Sequence, residues 1–427
     1  MTNQSILERR ERAVPRGVAT ATPVFAARAE NAEIWDVEGK RYVDFAGGIA
    51  VLNVGHRHPR VMAAVAEQLD AYTHTAFQVM AYEPYIELAE KLNAIAPVEG
   101  EAKTIFFTTG AEATENAVKI ARAATGRPGI IAFAGGFHGR TLLSSAMTGK
   151  VNPYKRGLGP FPAEIYHIPL PSESSGVTLD QTLKALDFLF AADIEPERIA
   201  AFIIEPVQGE GGFHMADPGL FEALDKLRQT YGILIIADEV QTGFARTGKM
   251  FGIEHQPVKP DLLTVAKSLA GGFPLSGVIG RADVMDAIGP GGLGGTYAGS
   301  PVAVAAALAV LDVIEEEKLN DRANAIGERI RAAITVAATR NDTVRIANLR
   351  GPGAMIAFDV MDQDGNPDGA AAKRVTGAAL ERGLVVLTCG TLGQTIRILV
   401  PLTASDAVLD EGLAVLTDAL VAAKEAA

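Results

Sequence analysis

Six short, unbroken apolar runs constrain this chain more than any other feature of it. They are Thr104 to Thr108, Ile130 to Phe133, Ala201 to Ile204, Ile233 to Ala237, Leu262 to Ala266 and Leu275 to Ile279, most of them spaced widely enough for a helix between. A strand with one wet face alternates apolar and polar residues, whereas a run without alternation has both faces covered. The expected fold class is therefore α/β, a layered domain around a mainly parallel central sheet. Upstream, Glu33 to Asp44 does alternate, around Glu38-Gly39, and predicts a β-hairpin lying against that body. Downstream, Ser300-Pro301 reads as an N-cap and first turn opening a long alanine-rich helix to about Glu317. The mixed helices and strands that follow predict a second, smaller α/β domain.

Composition narrows the partners. With 427 residues, 48% hydrophobic and 21% charged, a sizeable core is expected. A formal charge of -12, from 39 basic and 51 acidic residues, repels phosphate backbones and anionic lipid surfaces, so neither nucleic acid nor a membrane is an expected partner. The single cysteine, Cys389, excludes an intramolecular disulfide and is expected to be a buried thiol. Met1 to Gly17 mixes Glu8 and Glu11 with arginines and has no apolar centre, unlike a signal peptide. The longest apolar run, Val302 to Leu311, falls short of the ~20 residues of a membrane span. The expected location is the cytoplasm.

In open α/β sheets, ligands collect at the carboxyl ends of the strands, so polar residues placed there are the candidates. Gly110-Ala111 follow the first run and open a helix from Glu112 to Ala124. Unpaired N–H groups and the positive end of a helix dipole suit a phosphate there, and a plain strand-to-helix turn fits equally well. Asp238 ends the most apolar run, where a carboxylate needs a cation or a strong donor opposite it. Lys267 ends another, and a lysine in partly apolar surroundings is neutral enough to act as a nucleophile. On spacing alone, a salt bridge between Asp238 and Lys267 accounts for both.

Arg140 follows the run ending at Phe133, Arg397 lies in Ile396 to Leu402, and Glu210 sits in a Gly-Glu-Gly-Gly turn. Two arginines meeting at one cavity would suit a substrate with two carboxylates, because the guanidinium fork binds a carboxylate through two hydrogen bonds. Either arginine is as readily structural. Gly243 to Lys249 nearly spells a phosphate loop, but Met250 stands where Ser or Thr would bind magnesium, and the segment lies downstream of the acidic strand instead of upstream. His56, His58 and His74 lack metal-ligand spacing, and no HExxH or CxxC is present, so no metal is expected.

Taken in order, Thr109-Gly-Ala-Glu-Ala-Thr-Glu-Asn116, Gly136-Phe-His-Gly-Arg140, Glu205-Pro-Val-Gln-Gly-Glu210, Ala237-Asp-Glu-Val-Gln241 and Ala266-Lys-Ser268 resemble the class III (ornithine-type) aminotransferases over nearly the whole chain. Phe45 to Asn53 and Gly292 to Gly299 are similar to the bacterial 4-aminobutyrate (GABA) group within that class. The resemblance implies a pyridoxal 5'-phosphate (PLP) enzyme of fold type I. It would have a large PLP-binding domain over residues 58–315 and a smaller α/β domain built from both chain ends, 1–57 and 316–427. It implies a homodimer or dimer of dimers with the active site at the subunit interface, acting on small amines and 2-oxo acids.

Residue by residue, the resemblance implies that Lys267 holds PLP as a Schiff base and shuttles the proton, while Asp238 keeps the pyridine nitrogen protonated. Phe137 and Val240 would sandwich the ring, Gln241 would reach its phenolic oxygen, and the N–H groups of Gly110 and Ala111 would hold the phosphate, with Thr296 added from the neighbouring subunit. Arg140 would bind the distal carboxylate of the substrate beside Ile49. Arg397 would bind the α-carboxylate of glutamate or 2-oxoglutarate, and Glu210 would pair with it when GABA is bound. Phe137 and Ala111 stand where many GABA-type members carry tyrosine and serine, so two hydroxyls are missing. The activity implied is GABA:2-oxoglutarate transamination. The alternatives are another ω-aminotransferase (for ornithine, acetylornithine, 5-aminovalerate or 3-amino-2-methylpropanoate), a PLP aminomutase or epimerase, and a binding protein that has lost turnover.

Overall fold

The computed structural model describes residues 1–426. All six apolar runs contribute to one seven-stranded sheet. In spatial order its strands are Ala102–Phe107, Ser276–Arg281, Leu262–Val265, Leu234–Asp238, Ile199–Ile204, Gly129–Phe133 and Ile165–Ile168. Four pairings are parallel; Ser276–Arg281 alone is reversed, antiparallel to both its neighbours. Its connection, Ala266 to Leu275, is shorter than the roughly dozen residues a parallel crossover needs. The other six strands therefore point the same way and bring their carboxyl ends to one edge.

The lack of alternation in the runs has a direct cause in the packing. Ile130 and Ala132 face a core shared with the helix Gly110–Thr125, while Ile131 and Phe133 face a second core shared with helices such as Pro218–Tyr231 and Pro301–Glu316. Every residue of Gly129–Phe133, Ile199–Ile204 and Leu234–Asp238 is buried. Ile165–Ile168, absent from the apolar runs, is an edge strand whose first three residues are partly exposed or exposed. The helix after Ser300 spans Pro301–Glu316 with Pro301 in its first turn, but the Ser300 side chain makes no capping hydrogen bond. Cys389 is buried and free. No helix of the described residues is long and apolar enough to cross a membrane.

Two four-stranded sheets complete the chain. The hairpin Glu33–Asp36 and Arg41–Asp44 carries an additional strand, Ala26–Glu30, and its Arg41–Asp44 edge pairs in parallel with Leu384–Val385 from the opposite chain end. Arg345–Arg350, Ile356–Met361, Thr395–Ile398 and Leu387–Cys389 form the other, antiparallel sheet.

Arg246 ties these parts together. Gly243 to Lys249 is a turn-rich loop that encloses Arg246 completely, at 0% exposure. Its guanidinium donates to Asn53 Oδ1 at 2.6 and 3.0 Å, to the Val400 carbonyl at 2.8 Å and to the Ala354 carbonyl at 3.3 Å. Burial pushes its pKa down to about 9, which leaves it protonated at neutral pH. One cation thus satisfies acceptors from three distant segments, and removing it strands them in a dry core, at about 1–3 kcal/mol for each unsatisfied group. Arg246→Met is expected to lower the thermal unfolding midpoint of the holoenzyme by roughly 5 °C, with Arg246→Lys intermediate; an unchanged melting curve would show that these contacts are not structural.

Candidate active site

At the carboxyl edge of the sheet lies a cavity of about 340 Å³, lined by Gly110, Ala111, Phe137, Glu210, Asp238, Val240, Gln241 and Lys267 among others. Eight of the twelve residues singled out from the sequence thus meet in one place.

The helix Gly110–Thr125 begins there. Thr109 caps it: its hydroxyl accepts from Glu112 N at 3.3 Å, and the Glu112 carboxylate accepts from Thr109 N at 2.8 Å and Thr108 N at 3.0 Å. The N–H groups of Gly110 and Ala111 belong to the first turn and have no helical carbonyl behind them, so they remain available to an anion in the cavity. A Cβ on Gly110 would come within 3.1 Å of Val240, so the backbone can approach this closely only without a side chain.

Asp238, 2% exposed, does not pair with Lys267. Its Oδ2 lies 2.6 Å from His138 Nδ1, and its Oδ1 accepts from Thr264 Oγ1 at 3.0 Å and Val240 N at 3.1 Å. Burial disfavours charge on His138, but the Asp238 carboxylate more than offsets this and raises its pKa. Behind them, Glu205 accepts from Phe137 N and Gly209 N, both at 2.8 Å, and burial pushes its carboxyl up to about 7.

Lys267 starts a single helical turn, Lys267–Ala270, with φ at +46°. The left-handed region costs a non-glycine residue roughly 1–3 kcal/mol, and here it accompanies a side chain that lines the cavity. Burial, opposed only in part by Glu210, lowers the Lys267 pKa. Next to it, Ser268 Oγ donates to the Ala50 carbonyl at 2.9 Å, anchoring a loop in which Gly47, Gly48, Ile49 and Ala50 all have positive φ.

Arg397, 5% exposed, donates from Nη1 to Glu210 Oε1 at 2.5 Å, while its Nε has no partner among the described residues. Burial alone would raise the Glu210 pKa, but Arg397 holds it below the usual carboxylate range. Gln241 is buried with its Oε1 unpartnered, packed where a Cβ on Gly209 would come within 2.6 Å.

Four expected residues lie outside the cavity wall. Arg140 is exposed, its guanidinium carbon 5.4 Å from the centre of the Tyr154 ring. Ile49 is 46% exposed, and Val51 lines the cavity in its stead. Thr296 is exposed in the glycine-rich loop. Arg397 reaches the cavity only through Glu210. Sequence reasoning gave no role to His138, Glu205, Thr264 or Tyr154. The first two sit inside motifs already singled out, but nothing in the spacing marks them as the supports behind Asp238 and Phe137. No group of three or more His, Cys, Asp or Glu side chains among the described residues forms a metal-binding cluster.

Comparison with known proteins agrees with this geometry. The Aminotransferase class-III family matches residues 14–420. The chain is 54% identical to the 5-aminovalerate aminotransferase DavT of Pseudomonas putida, covering 98% of each chain. It is 50% identical to the 4-aminobutyrate aminotransferase GabT of Escherichia coli, covering 99% of this chain and 100% of that one. Among solved structures, the omega transaminase from Pseudomonas jessenii in complex with PMP superposes with a TM-score of 0.90 at 28% identity, covering 98% of both. A lysine of lowered pKa, a buried carboxylate and a helix N-terminus around one cavity are the parts such an enzyme needs, and this chain belongs to the class III aminotransferases, as a PLP-dependent transaminase of fold type I.

Proposed function

We propose that the chain is a 4-aminobutyrate:2-oxoglutarate aminotransferase, moving the ω-amino group of GABA to give succinic semialdehyde and L-glutamate. The observation that supports this most is the Glu210–Arg397 pair beside Lys267. GABA has one carboxylate, at the far end from its amine, and leaves Arg397 without a counter-charge. A buried guanidinium in that state is destabilising by about 3–5 kcal/mol, and pairing with Glu210 avoids this. 2-Oxoglutarate brings a second carboxylate that takes Arg397 from Glu210, so one cavity serves both halves of the reaction.

The residues present fit PLP. Gly110 and Ala111 offer free N–H groups for its phosphate, Asp238 a carboxylate for its ring nitrogen, and Gln241 an unpartnered amide end. Phe137 and Val240 would flank the ring. When bound, PLP supplies a sink for the electron pair left when a proton departs from the carbon bearing the substrate's nitrogen. Lys267 would hold the cofactor covalently and, once released, accept that proton at Nζ. Arg140 would hold the distal carboxylate, with Ile49 as an apolar neighbour. In a homodimer or dimer of dimers, Thr296 would reach the phosphate of a neighbouring copy. The hydroxyls missing at Phe137 and Ala111 remove contacts but neither the aromatic face nor the N–H.

The 54% identity to a 5-aminovalerate aminotransferase favours a second donor, longer by one methylene. A single methylene discriminates by only about 1–3 kcal/mol. Titrating the holoenzyme's visible absorption with GABA, 5-aminovalerate, ornithine and L-glutamate tests the assignment. GABA is expected to bleach it and 2-oxoglutarate to restore it; bleaching by 5-aminovalerate alone reassigns the donor.

Two further outcomes are expected. Glu210→Ser leaves Arg397 unpaired when GABA is bound, and should lower the ratio of kcat/KM for GABA over L-glutamate about tenfold or more; an unchanged ratio removes the pair from the mechanism. Since only the neutral amine attacks a carbonyl, the lowered pKa of Lys267 shifts its reactive form to lower pH. Apoenzyme should therefore capture PLP at a rate that rises with pH and levels off below the ordinary lysine value of about 10.4, and Lys267→Ala should develop no lysine-bound absorption at any pH. A rate still climbing above that value would contradict a depressed pKa.

A further inference from the structure

We propose that Tyr154 sets which ω-amino acid chain length the site prefers, by holding Arg140 where it meets the substrate's carboxylate. This rests on reading the site as one for ω-amino acids. The Tyr154 ring packs on Phe137, centroids 4.9 Å apart at 58°, and Phe137 is a wall of the cavity. The Arg140 guanidinium carbon sits 5.4 Å from the centre of the same ring, within the range at which an aromatic face attracts a cation. Arg140 is otherwise exposed, and its charge also acts on the Tyr154 hydroxyl, so Tyr154 is the neighbour that restrains where its long side chain rests.

Burial raises the phenol pKa of Tyr154 and Glu210 raises it further, while Arg140 and Arg397 both oppose the rise. Its hydroxyl is thus within electrostatic reach of both arginines and the glutamate. The chain length a donor needs is the distance from the carboxylate held at Arg140 to the amine presented at Lys267. A displacement of Arg140 along that line would change which donor length spans it. Tyr154 is a positioning residue in this scheme, acting through Arg140 and not on the reacting carbon.

The test is steady-state kinetics on reconstituted holoenzyme, with GABA and 5-aminovalerate as donors and 2-oxoglutarate as acceptor. The parent is compared with Tyr154→Leu and Tyr154→Met, which both lack the aromatic face, and with Tyr154→Phe, which keeps it. For Leu and Met we expect KM for both donors to rise about two- to fivefold, the range of an exposed cation–π contact, with kcat nearly unchanged. The ratio of kcat/KM between the two donors should shift about twofold, and Tyr154→Phe should restore the parent ratio. Cofactor absorption, recorded on every variant, reports that the site is assembled, and either non-aromatic variant that takes up PLP suffices. Both donors turning over with an unchanged ratio in that variant would overturn the role of Tyr154 alone. A parent that turns over neither donor would overturn the ω-amino acid reading, and this proposal with it.

Discussion

A carboxylate at the end of a fully buried strand has to be compensated, and what compensates Asp238 organises most of the site. Thr264 comes from the adjacent strand, Val240 N from Asp238's own turn, and His138 from the loop after Gly129–Phe133. Because His138 must point inward to meet Asp238, its neighbours in the chain are placed as well: Phe137 against the cavity and Arg140 out towards solvent. Glu205 then holds Phe137 N and Gly209 N together. Through Gly209 it positions the turn that carries Glu210, and the missing side chain there makes room for Gln241. One buried charge thus reaches the ring-facing residues and the carboxylate partner of Arg397 by an unbroken chain of contacts.

The charges that remain are distributed with a purpose that burial makes legible. Burial, and to a lesser degree Arg397, disfavour the protonated state of Lys267, while Glu210 acts on both cations in the opposite sense. In the same dry surroundings the lysine pKa falls, because its amine can lose a proton, whereas the guanidinium keeps its charge and holds Glu210 ionised. The same carboxylate therefore neutralises the arginine while only partly offsetting the burial that lowers the lysine pKa. In the proposed reaction a substrate carboxylate arriving at Arg397 would replace Glu210 like for like, so the electrostatic balance around Lys267 would survive the exchange of one substrate for the next.

Much of this was legible in the sequence where the residues themselves are unambiguous. Runs such as Ile233 to Ala237 lack alternation because both faces are covered, and they locate the sheet and its carboxyl edge. The edge strand Ile165–Ile168 escaped because partial exposure breaks its run with Tyr166 and His167. The reversal of Ser276–Arg281 is written in the length of its connection, not in its composition. At the site, strand-end residues such as Asp238 and Lys267 stood out, but the partner of Asp238 was legible only in three dimensions: His138 is 100 residues away in the chain. Spacing favoured Lys267 for that part, since a salt bridge between two strand-end residues needs no third element. The structure instead places each at the end of its own strand, with His138 occupying the space next to the carboxylate.

Chain-length preference is a different kind of property. Most of the motifs that identify a class III aminotransferase surround the cavity at Lys267, and in the proposed reading those parts are shared by donors of either length. In the proposed scheme, what distinguishes four carbons from five is the resting place of an exposed arginine, which contacts a tyrosine outside every motif. An exposed guanidinium on a flexible stem has several positions of similar energy, and a modest attraction of about 0.5–1 kcal/mol is enough to select one of them. In that scheme a change of donor needs little change in the cavity itself, because the discriminating energy is small and resides at its rim.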